Sequence, residues 1–262
     1  MIGTGTIDPG SSIDWGNTSD DYAKFRPGPP LSFYHKLKAL DVGLPGQKIL
    51  DLGTGTGVLA RQFASQGCHV TGTDIAAVQI NMAQKLAAEQ GLNIDFKVMA
   101  AEDSDFPDHS FDVITANQCH LYFDHEKLFP KIKRILKEDG LFMVSHFSWL
   151  PLLDKIAEAT EQLILKHNPN WTGHSYAGNI PPINVIFQSD FKLKGYFYYD
   201  QAIEFSRASW RGRIRASRGI AASLTAEAVK KFDAELDQLL SEIAPETFAV
   251  LHRLDAHIMI IK

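Results

Sequence analysis

Hydrophobic and polar positions along this chain follow two alternating patterns. Short continuous apolar runs are typical of buried parallel strands, and apolar residues repeated every three or four positions are typical of helices with one buried face. The apolar runs predict a strand beginning at Lys48 and strands at 68–73, 93–99, 111–116 and 141–147. The helical spacing predicts helices at 31–41, from Val58, at 76–90 and at 126–136. This alternation of strand and helix predicts an α/β fold with a doubly wound, mostly parallel sheet.

The alternation breaks after Ser148. The sequence predicts a helix at 151–166, followed at 167–182 by a polar segment that contains glycine, proline and aromatic residues. A long loop of this kind inside a compact domain is unusual unless it covers a site, so we expect part of a lid here. Two further strands are predicted at 191–199 and 248–261, with a helix at 225–243 between them.

Composition narrows the class of partner. The chain has 262 residues and a formal net charge of −5, which does not indicate a protein built to bind polyanions, so nucleic acid is not the expected partner. The two cysteines, Cys68 and Cys119, lie in predicted strand regions, where we expect buried thiols. The sequence has no long apolar run and no signal-peptide pattern at its start. We therefore expect a cytoplasmic protein with no membrane segment, in an oligomeric state that the sequence leaves open.

A glycine-rich stretch follows the first predicted strand, and an acid ends the second. Residues 49–57 read ILDLGTGTG, with glycines at every second position from Gly53 and Asp51 two residues before them. Glycines let the backbone approach a ligand closely, and the helix that begins at Val58 presents its positive end to an anionic group. Asp74 ends the stretch HVTGTD, where a carboxylate can accept both hydroxyl hydrogens of a ribose. The sequence therefore predicts a site for a nucleotide-like ligand.

The glycine spacing separates two kinds of nucleotide site. Nicotinamide-binding loops read Gly-x-Gly-x-x-Gly, whereas this loop, with Asp51 ahead and Asp74 behind, resembles motif I of class I S-adenosylmethionine-dependent methyltransferases. The resemblance implies a Rossmann-like sheet of seven strands, mostly parallel, with an inserted helical lid. The last strand would be antiparallel and would lie beside the fifth. It also implies S-adenosylmethionine as the cofactor and S-adenosylhomocysteine as its product.

The resemblance assigns parts of the cofactor to segments of the chain. The methionine end is expected at Asp51 and the glycine loop, the ribose at Asp74, and the adenine after the third strand. The expected cofactor-binding residues on these segments are Asp51, Gly53, Thr54, Gly55, Gly57, Asp74, Ile75, Ala101 and Glu102. The structural alternatives are a simple turn residue for Asp74 and a carboxylate at a helix start for Glu102.

Two further stretches extend the resemblance. The run FDVITANQCHLYFDHE is similar to the fourth-strand signature of the small-molecule branch that includes quinone-biosynthesis and trans-aconitate methyltransferases, which implies that Asn117 and Gln118 lie beside the methionine portion. No Asp/Asn-Pro-Pro-Tyr follows this strand, so adenine and amide nitrogens are not the expected acceptors. Residues 20–27 resemble a Tyr-x-x-x-Arg-Pro entry segment, which makes Tyr22 and Arg26 candidate cofactor contacts. Alternatively, Tyr22 and Phe25 staple the first helix to the sheet.

These elements predict one domain over residues 1–262 with an inserted cap, because two separate domains are less economical at this length. We expect a cofactor-binding core at 18–147, lid segments at 148–190 and 200–244, and final sheet strands at 191–199 and 248–261. Residues 1–17 are rich in glycine, serine and threonine, which predicts a mobile arm.

Two histidines follow strands at the expected ligand edge of the sheet. A neutral imidazole at His120 or His146 could take a proton from a hydroxyl or amine acceptor, and both are therefore candidate catalytic residues. The related branch often has Trp-His-Trp-Phe after the glutamine, whereas this chain has His120 one position earlier. The alternative is a hydrogen-bonded histidine without chemistry. On the last strand, alternation places Asp255 and His257 on one face and His252 on the other, so no metal site is expected.

Residues 206–219 contain five arginines and no acid. If this segment is helical, four of the arginines form one stripe, at Arg207, Arg211, Arg215 and Arg218. The stripe is either a solvated basic face or part of a lid whose guanidinium groups recognise a carboxylate or phosphate. The candidate substrate-binding residues of the lid are Trp149, Trp210, Arg211 and Arg215.

The sequence thus predicts an S-adenosylmethionine-dependent methyltransferase that acts on a small-molecule acceptor, with an acidic acceptor as one option. Methyl transfer is a direct in-line displacement, so alignment alone can supply most of the acceleration. Two alternatives stay open: an RNA methyltransferase that uses the arginine stripe, and a regulator that binds the cofactor without catalysis. The acceptor atom, whether oxygen, nitrogen, carbon or sulfur, does not follow from these residues.

Overall fold

The computed structural model of the chain describes residues 7–9, 13–179 and 185–262. The helices are α1 Ser19–Phe25, α2 Leu31–Lys38, α3 Val58–Ser65, α4 Ala77–Glu89, α5 His125–Ile135, α6 Lys155–His167, α7 Val185–Asp190, α8 Arg207–Arg215 and α9 Ala226–Ile243. The strands are β1 Lys48–Leu52, β2 His69–Asp74, β3 Asp95–Val98, β4 Phe111–Asn117, β5 Leu136–Trp149, β6 Phe191–Ser206 and β7 Thr247–Ile261. Short 3-10 helices lie at Trp15–Thr18, Ala101–Asp103 and His120–Tyr122.

The chain divides into two compact units. The larger unit comprises Gly28–Phe147, Ile180–Tyr199 and Leu254–Lys262. The smaller unit comprises Met1–Pro27, Ser148–Asn179 and Asp200–Arg253, and it contains most of the residues for which the sequence predicts a lid. None of the helices in the described part of the chain has the length and apolar character that crossing a membrane requires.

The sheet has the strand order β3-β2-β1-β4-β5-β7-β6. The strand pairs from β3 to β5 are parallel, and their register places Asp51 of β1 beside Gly72 of β2 and Thr115 of β4. β7 lies beside β5, as expected from the resemblance. The predicted fold class, a seven-stranded sheet that is mostly parallel with an antiparallel strand, is confirmed.

Each unit has its own apolar core. In the larger unit, α5 and the strands bury side chains such as Leu50, Ile114 and Phe142, and α7 adds Phe187. In the smaller unit, helices α6, α8 and α9 bury an apolar cluster that includes Trp210, Phe232 and Leu236. The continuous apolar strands and the one-sided helices of the sequence are therefore accounted for by burial.

Helix ends differ from the predicted ones where a side chain caps the backbone. The helix predicted at 151–166 begins at Lys155, because the Asp154 carboxylate accepts hydrogen bonds from the amides of Ile156 and Ala157. Helix α8 begins after Ser206, which forms a capping box with Ser209. It ends at Arg215, so Arg218 lies outside the predicted helical stripe.

The described part of the predicted N-terminal arm makes polar contacts within the smaller unit. The buried Asp8 carboxylate lies 2.9 Å from the Arg218 guanidinium and accepts hydrogen bonds from the amide and hydroxyl of Thr172. The Asp14 amide donates to the Ala222 carbonyl at 2.8 Å. Residues 1–6 and 10–12 of that arm lie outside the described residues.

Candidate functional site

The glycine loop after β1 has a backbone that only glycine adopts easily. Gly53, Gly55 and Gly57 have φ values of 61°, 56° and 76°. A Cβ on Gly53 would lie 2.9 Å from the Cβ and Sγ of Cys119, and one on Gly57 would lie 2.9 Å from the Phe96 ring. The loop is therefore shaped both by left-handed backbone and by close packing, and helix α3 begins directly after Gly57.

Asp51 supports this loop from within the sheet. Its carboxylate is buried and accepts hydrogen bonds from the hydroxyls of Thr54, at 2.7 Å, and Thr115, at 2.6 Å. Burial raises the pKa of Asp51 to about 6, although the two hydroxyl bonds act in the opposite direction. Asp51 thus links β1 to the loop residue Thr54 and to β4, and its predicted contact with a ligand stays a prediction.

Asp74 joins the same loop to the end of β2. One carboxylate oxygen accepts from the Gly55 amide and the other from the Ala76 amide, both at 2.9 Å. Burial raises the pKa of Asp74, and these two backbone bonds oppose that shift. The next residue, Ile75, is 56% exposed, which is unusual for a large apolar side chain beside a polar loop. The strand end therefore presents a carboxylate followed by an open apolar surface.

The segment after β3 and the end of β4 are also held by polar contacts. Glu102 accepts a hydrogen bond from the Asp124 amide at 2.7 Å, next to the start of α5, whereas Ala101 is buried. Asn117 accepts from the Ser145 hydroxyl at 3.0 Å. Gln118 has a φ of 63°, and its side-chain amide donates to the Phe147 carbonyl. A non-glycine residue in the left-handed region is uncommon and is found more often at functional sites.

The two candidate bases lie side by side in the larger unit. The rings of His120 and His146 have centroids 4.9 Å apart. Burial, reinforced by the nearby His146 and His125, lowers the pKa of His120 to about 3, so this ring is neutral at physiological pH. His146 Nδ1 lies 2.9 Å from the Asp255 carboxylate, which is fully buried in β7. The structure thus brings together two residues that the sequence proposed and one, Asp255, that it did not.

The sequence does contain a signal for Asp255. It is an acid inside the apolar stretch of β7 that ends the chain, and a buried carboxylate requires a hydrogen-bond partner. Its partner is His146, 109 residues earlier in the chain, so no local pattern reveals the pair. His257 faces the same side, with Nδ1 3.8 Å from the Asp255 carboxylate. Across the residues that the structure describes, no three metal-ligating side chains form a metal site.

Two arginines of the stripe in α8, Arg211 and Arg215, form ion pairs with acids of the chain. Arg211 forms ion pairs with Asp233 and Asp237, and Arg215 forms ion pairs with Asp21 and Asp233. These acids come from α1 and α9, which the sequence of the stripe does not show. The prediction that Arg211 and Arg215 bind an acceptor stays a prediction, but both guanidinium groups already have carboxylate partners.

The two candidate tryptophans of the lid are buried in the smaller unit. Trp210, a predicted substrate-binding candidate, is fully buried, and its Nε1 donates to the Thr160 hydroxyl at 3.1 Å, so it is a core residue. Trp149 is also buried and donates to Glu161 at 2.7 Å.

The entry segment belongs to the smaller unit as well. The Phe25 ring of α1 packs against Gly212 of α8, and the stapling alternative for Tyr22 and Phe25 stays a prediction. Arg26 is half-buried, and the side chain of Tyr22 lies outside the described residues. The predicted cofactor contacts of these two residues stay predictions.

Comparison with known proteins identifies the family. Residues 49–140 match the family described as a methyltransferase domain. The chain is 30% identical over 168 residues to a ubiquinone biosynthesis O-methyltransferase of Actinobacillus pleuropneumoniae, covering 60% of this chain and 71% of that protein. It is 36% identical over 121 residues to a ubiquinone/menaquinone biosynthesis C-methyltransferase of Vibrio campbellii, covering 44% and 46%.

A solved structure extends the likeness in fold to most of the chain. An N-methyltransferase of Haemonchus contortus, in complex with phosphomonomethylethanolamine and S-adenosylhomocysteine, aligns with a TM-score of 0.54 at 20% identity, over 96% of this chain and 60% of that one. The mixed seven-stranded sheet agrees with this likeness in fold. The chain therefore belongs to the class I S-adenosylmethionine-dependent methyltransferases and resembles their quinone-biosynthesis members.

Proposed function

We propose that this protein transfers a methyl group from S-adenosylmethionine to a small-molecule acceptor by direct in-line displacement. The observation that carries the proposal is the geometry at Asp74. Each of its carboxylate oxygens accepts one backbone hydrogen bond, from Gly55 and from Ala76, and each has a second lone pair that can accept another hydrogen bond. Two acceptor positions side by side match the two hydroxyl groups of a ribose.

The other site residues fit the remaining parts of such a cofactor. The exposed Ile75 supplies an apolar surface next to the ribose position, where a flat adenine ring can lose its contact with water. The left-handed glycines let the loop turn sharply between β1 and α3, so that its backbone amides and the start of α3 can face an anionic group. Asn117 ends β4, the parallel strand next to β1, and Gln118 follows it, where the resemblance implies the methionine group of the cofactor.

The chemistry required of the protein is modest. The bound cofactor supplies a methyl group on a positively charged sulfur, which is already reactive toward a nucleophile. The protein aligns the acceptor with that methyl group and excludes competing water. His120 and His146 are the side chains that could accept a proton from the acceptor, and His120 is held neutral by burial.

No observation favours the two alternatives. A groove for RNA requires basic groups that face phosphates, whereas Arg211 and Arg215 are paired with carboxylates of the chain itself. A regulator without activity would not need the neutral histidine and the His146–Asp255 pair close together.

The ribose assignment is tested by the affinity for S-adenosylhomocysteine, measured by isothermal titration calorimetry. Asp74→Ala is expected to weaken binding about 100-fold or more, because each hydrogen bond to a charged group contributes about 1.5 kcal/mol or more. Asp74→Asn, which keeps one acceptor oxygen, is expected to lose less affinity than Asp74→Ala.

The matched control is Asp112→Ala. This carboxylate lies near the start of β4, at the amino ends of the parallel strands and away from Asp74, and it pairs with Lys137. The control is expected to bind normally. Equal affinity in Asp74→Ala and the unaltered protein, with both folded by circular dichroism, would refute the assignment.

A further inference from the structure

Asp255 is an acid in an environment that does not favour a charge. It is fully buried in β7, between Leu254 and Ala256, which are buried as well. A carboxylate in such a place is costly unless a donor compensates it. Its Oδ1 lies 2.9 Å from His146 Nδ1, whereas its Oδ2 has no hydrogen-bond partner among the described residues. The hydrogen bond with His146 is therefore the main compensation for the buried acid.

This hydrogen bond determines which nitrogen of His146 carries the hydrogen. A carboxylate can only accept, so the Nδ1 atom must be the donor. In a neutral imidazole the other nitrogen, Nε2, then has a free lone pair and can accept a proton. Among the described residues, no hydrogen-bond partner faces Nε2 of His146.

His146 lies within β5, one residue beyond the pairing with the end of β4, which is the expected ligand edge of the sheet. The preceding residue, Ser145, pairs with Asn117 in the register of β4 and β5, and its carbonyl accepts a hydrogen bond from the Gln118 amide. His146 is 17% exposed, whereas Asp255 behind it is 0% exposed. The imidazole is thus anchored through Nδ1 to a buried acid, while part of the His146 side chain is exposed.

The neighbouring ionisable groups do not compete for the anchor. His120 packs edge-on against His146, and burial lowers the pKa of His120 to about 3. His257, whose pKa burial also lowers, lies further from Asp255 Oδ1, at 3.8 Å, and its ring stacks on Tyr196. His125 stacks on His120 and donates a hydrogen bond from its Nε2 to the His120 carbonyl at 2.9 Å. His146 is therefore the ring that Asp255 orients.

We propose that His146 is the general base of the methyl transfer and that Asp255 is a positioning residue that holds its Nδ1–H tautomer. The inference rests on the proposed function and adds that the acceptor is a hydroxyl group. As the oxygen–methyl bond forms, the methyl–sulfur bond breaks and its electron pair stays on sulfur. The acceptor O–H bond breaks, and its proton goes to His146 Nε2. The Asp255 carboxylate stabilises the imidazolium that results.

The tautomer can be measured without any acceptor. In a long-range ¹H–¹⁵N spectrum of the full-length protein at pH 8, His146 is expected to show a protonated Nδ1 and an unprotonated Nε2. The spectrum of His146→Gln, from which the signals of this ring are missing, identifies them. Asp255→Asn is expected to shift the ring to the Nε2–H form, because the asparagine amide can donate to Nδ1. A wild-type ring with Nε2 protonated would overturn the proposal, even if the variant does not fold.

The base role is tested with a labelled-methyl assay against a pool of phenols, aliphatic alcohols, tertiary amines and thioethers. Methylation of a hydroxyl compound is expected, with kcat reduced about 100-fold or more in Asp255→Asn and His146→Gln, the range for loss of general-base catalysis. KM and the affinity for S-adenosylhomocysteine are expected to change less than about threefold, since neither residue carries cofactor binding. His69→Gln, an exposed histidine at the start of β2, is the control.

The outcomes separate the two proposals. Methylation restricted to tertiary amines or thioethers, which lose no proton, or an unchanged kcat in both variants, would overturn the role of His146 while leaving the methyltransferase function intact. If the unaltered protein does not bind S-adenosylhomocysteine, the proposed function is overturned, whereas the measured tautomer of His146 is unaffected.

Discussion

The Asp74 carboxylate accepts a hydrogen bond from the Gly55 amide at 2.9 Å. This contact joins the acid that ends β2 to the loop that ends β1, and a second bond from the Ala76 amide joins it to the start of α4. One side chain thus orders the loop, and in the proposed function its two oxygens also accept hydrogen bonds from the ribose. Loop shape and cofactor affinity are therefore expected to depend on the same residue.

Ile75 is expected to contribute to cofactor affinity rather than to stability. It is 56% exposed, so Ile75→Ala should change the free energy of unfolding by less than about 0.5 kcal/mol. If the adenine covers it, the affinity for S-adenosylhomocysteine should fall about tenfold, because about two buried methylene groups are lost. Val78→Ala, in the next helix with 50% exposure, is the control and should bind normally. Equal affinities in the two variants would exclude an adenine contact at Ile75.

The stability of the protein should depend on pH through Asp51. Burial raises the pKa of Asp51 to about 6 from an ordinary value of 3.8. Below the ordinary value the acid is protonated in both the folded and unfolded states, and between the two values only the folded state keeps the proton. This contribution to stability is therefore present at low pH and is lost as the pH rises toward 6, by on the order of 3 kcal/mol.

Asp51→Asn removes this titration while keeping the side-chain shape. Urea unfolding at pH 4, 5, 6 and 7 should show that the difference in unfolding free energy between variant and unaltered protein changes across this window and is constant above it. A difference that stays the same at all four pH values would contradict a raised pKa at Asp51.

The acid shared by two arginines should stabilise the smaller unit. Asp233 pairs with both Arg211 and Arg215 and is 20% exposed, whereas Asp237 pairs with Arg211 alone and is 56% exposed. Asp233→Asn is expected to lower the unfolding free energy by about 1–2 kcal/mol, and Asp237→Asn by less than about 0.5 kcal/mol. Thermal unfolding followed by circular dichroism compares the two. Similar melting temperatures for both variants would show that the shared pair contributes little.

The order of strands and helices was predictable because it follows from local pattern. Runs such as Ile49 and Leu50 before the glycines, or the one-sided helix α9, indicate burial without knowledge of their partners. The glycine loop was equally predictable, because the left-handed backbone at Gly53, Gly55 and Gly57 is a conformation that glycine adopts easily. The structure confirmed the fold class, and helix ends moved where caps such as Asp154 intervened.

Pairs of residues distant in the chain were not predictable. The arginines of α8 looked like a basic stripe because Asp21 and Asp233, their partners, lie in other helices, Asp21 being 194 residues from Arg215. Trp210 looked like a candidate for binding an acceptor, but it is a core side chain whose indole donates to Thr160. Helical spacing gives the face on which a residue lies and says nothing about what covers that face.

The sequence by itself determined the sheet, the glycine loop and the acid that follows the second strand, because each depends on backbone conformation or on burial within a short segment. Only the tertiary structure decided that His146 contacts Asp255 and that the arginines of α8 form ion pairs with carboxylates. Those properties depend on hydrogen bonds and charges brought within about 3 Å by packing of distant strands and helices.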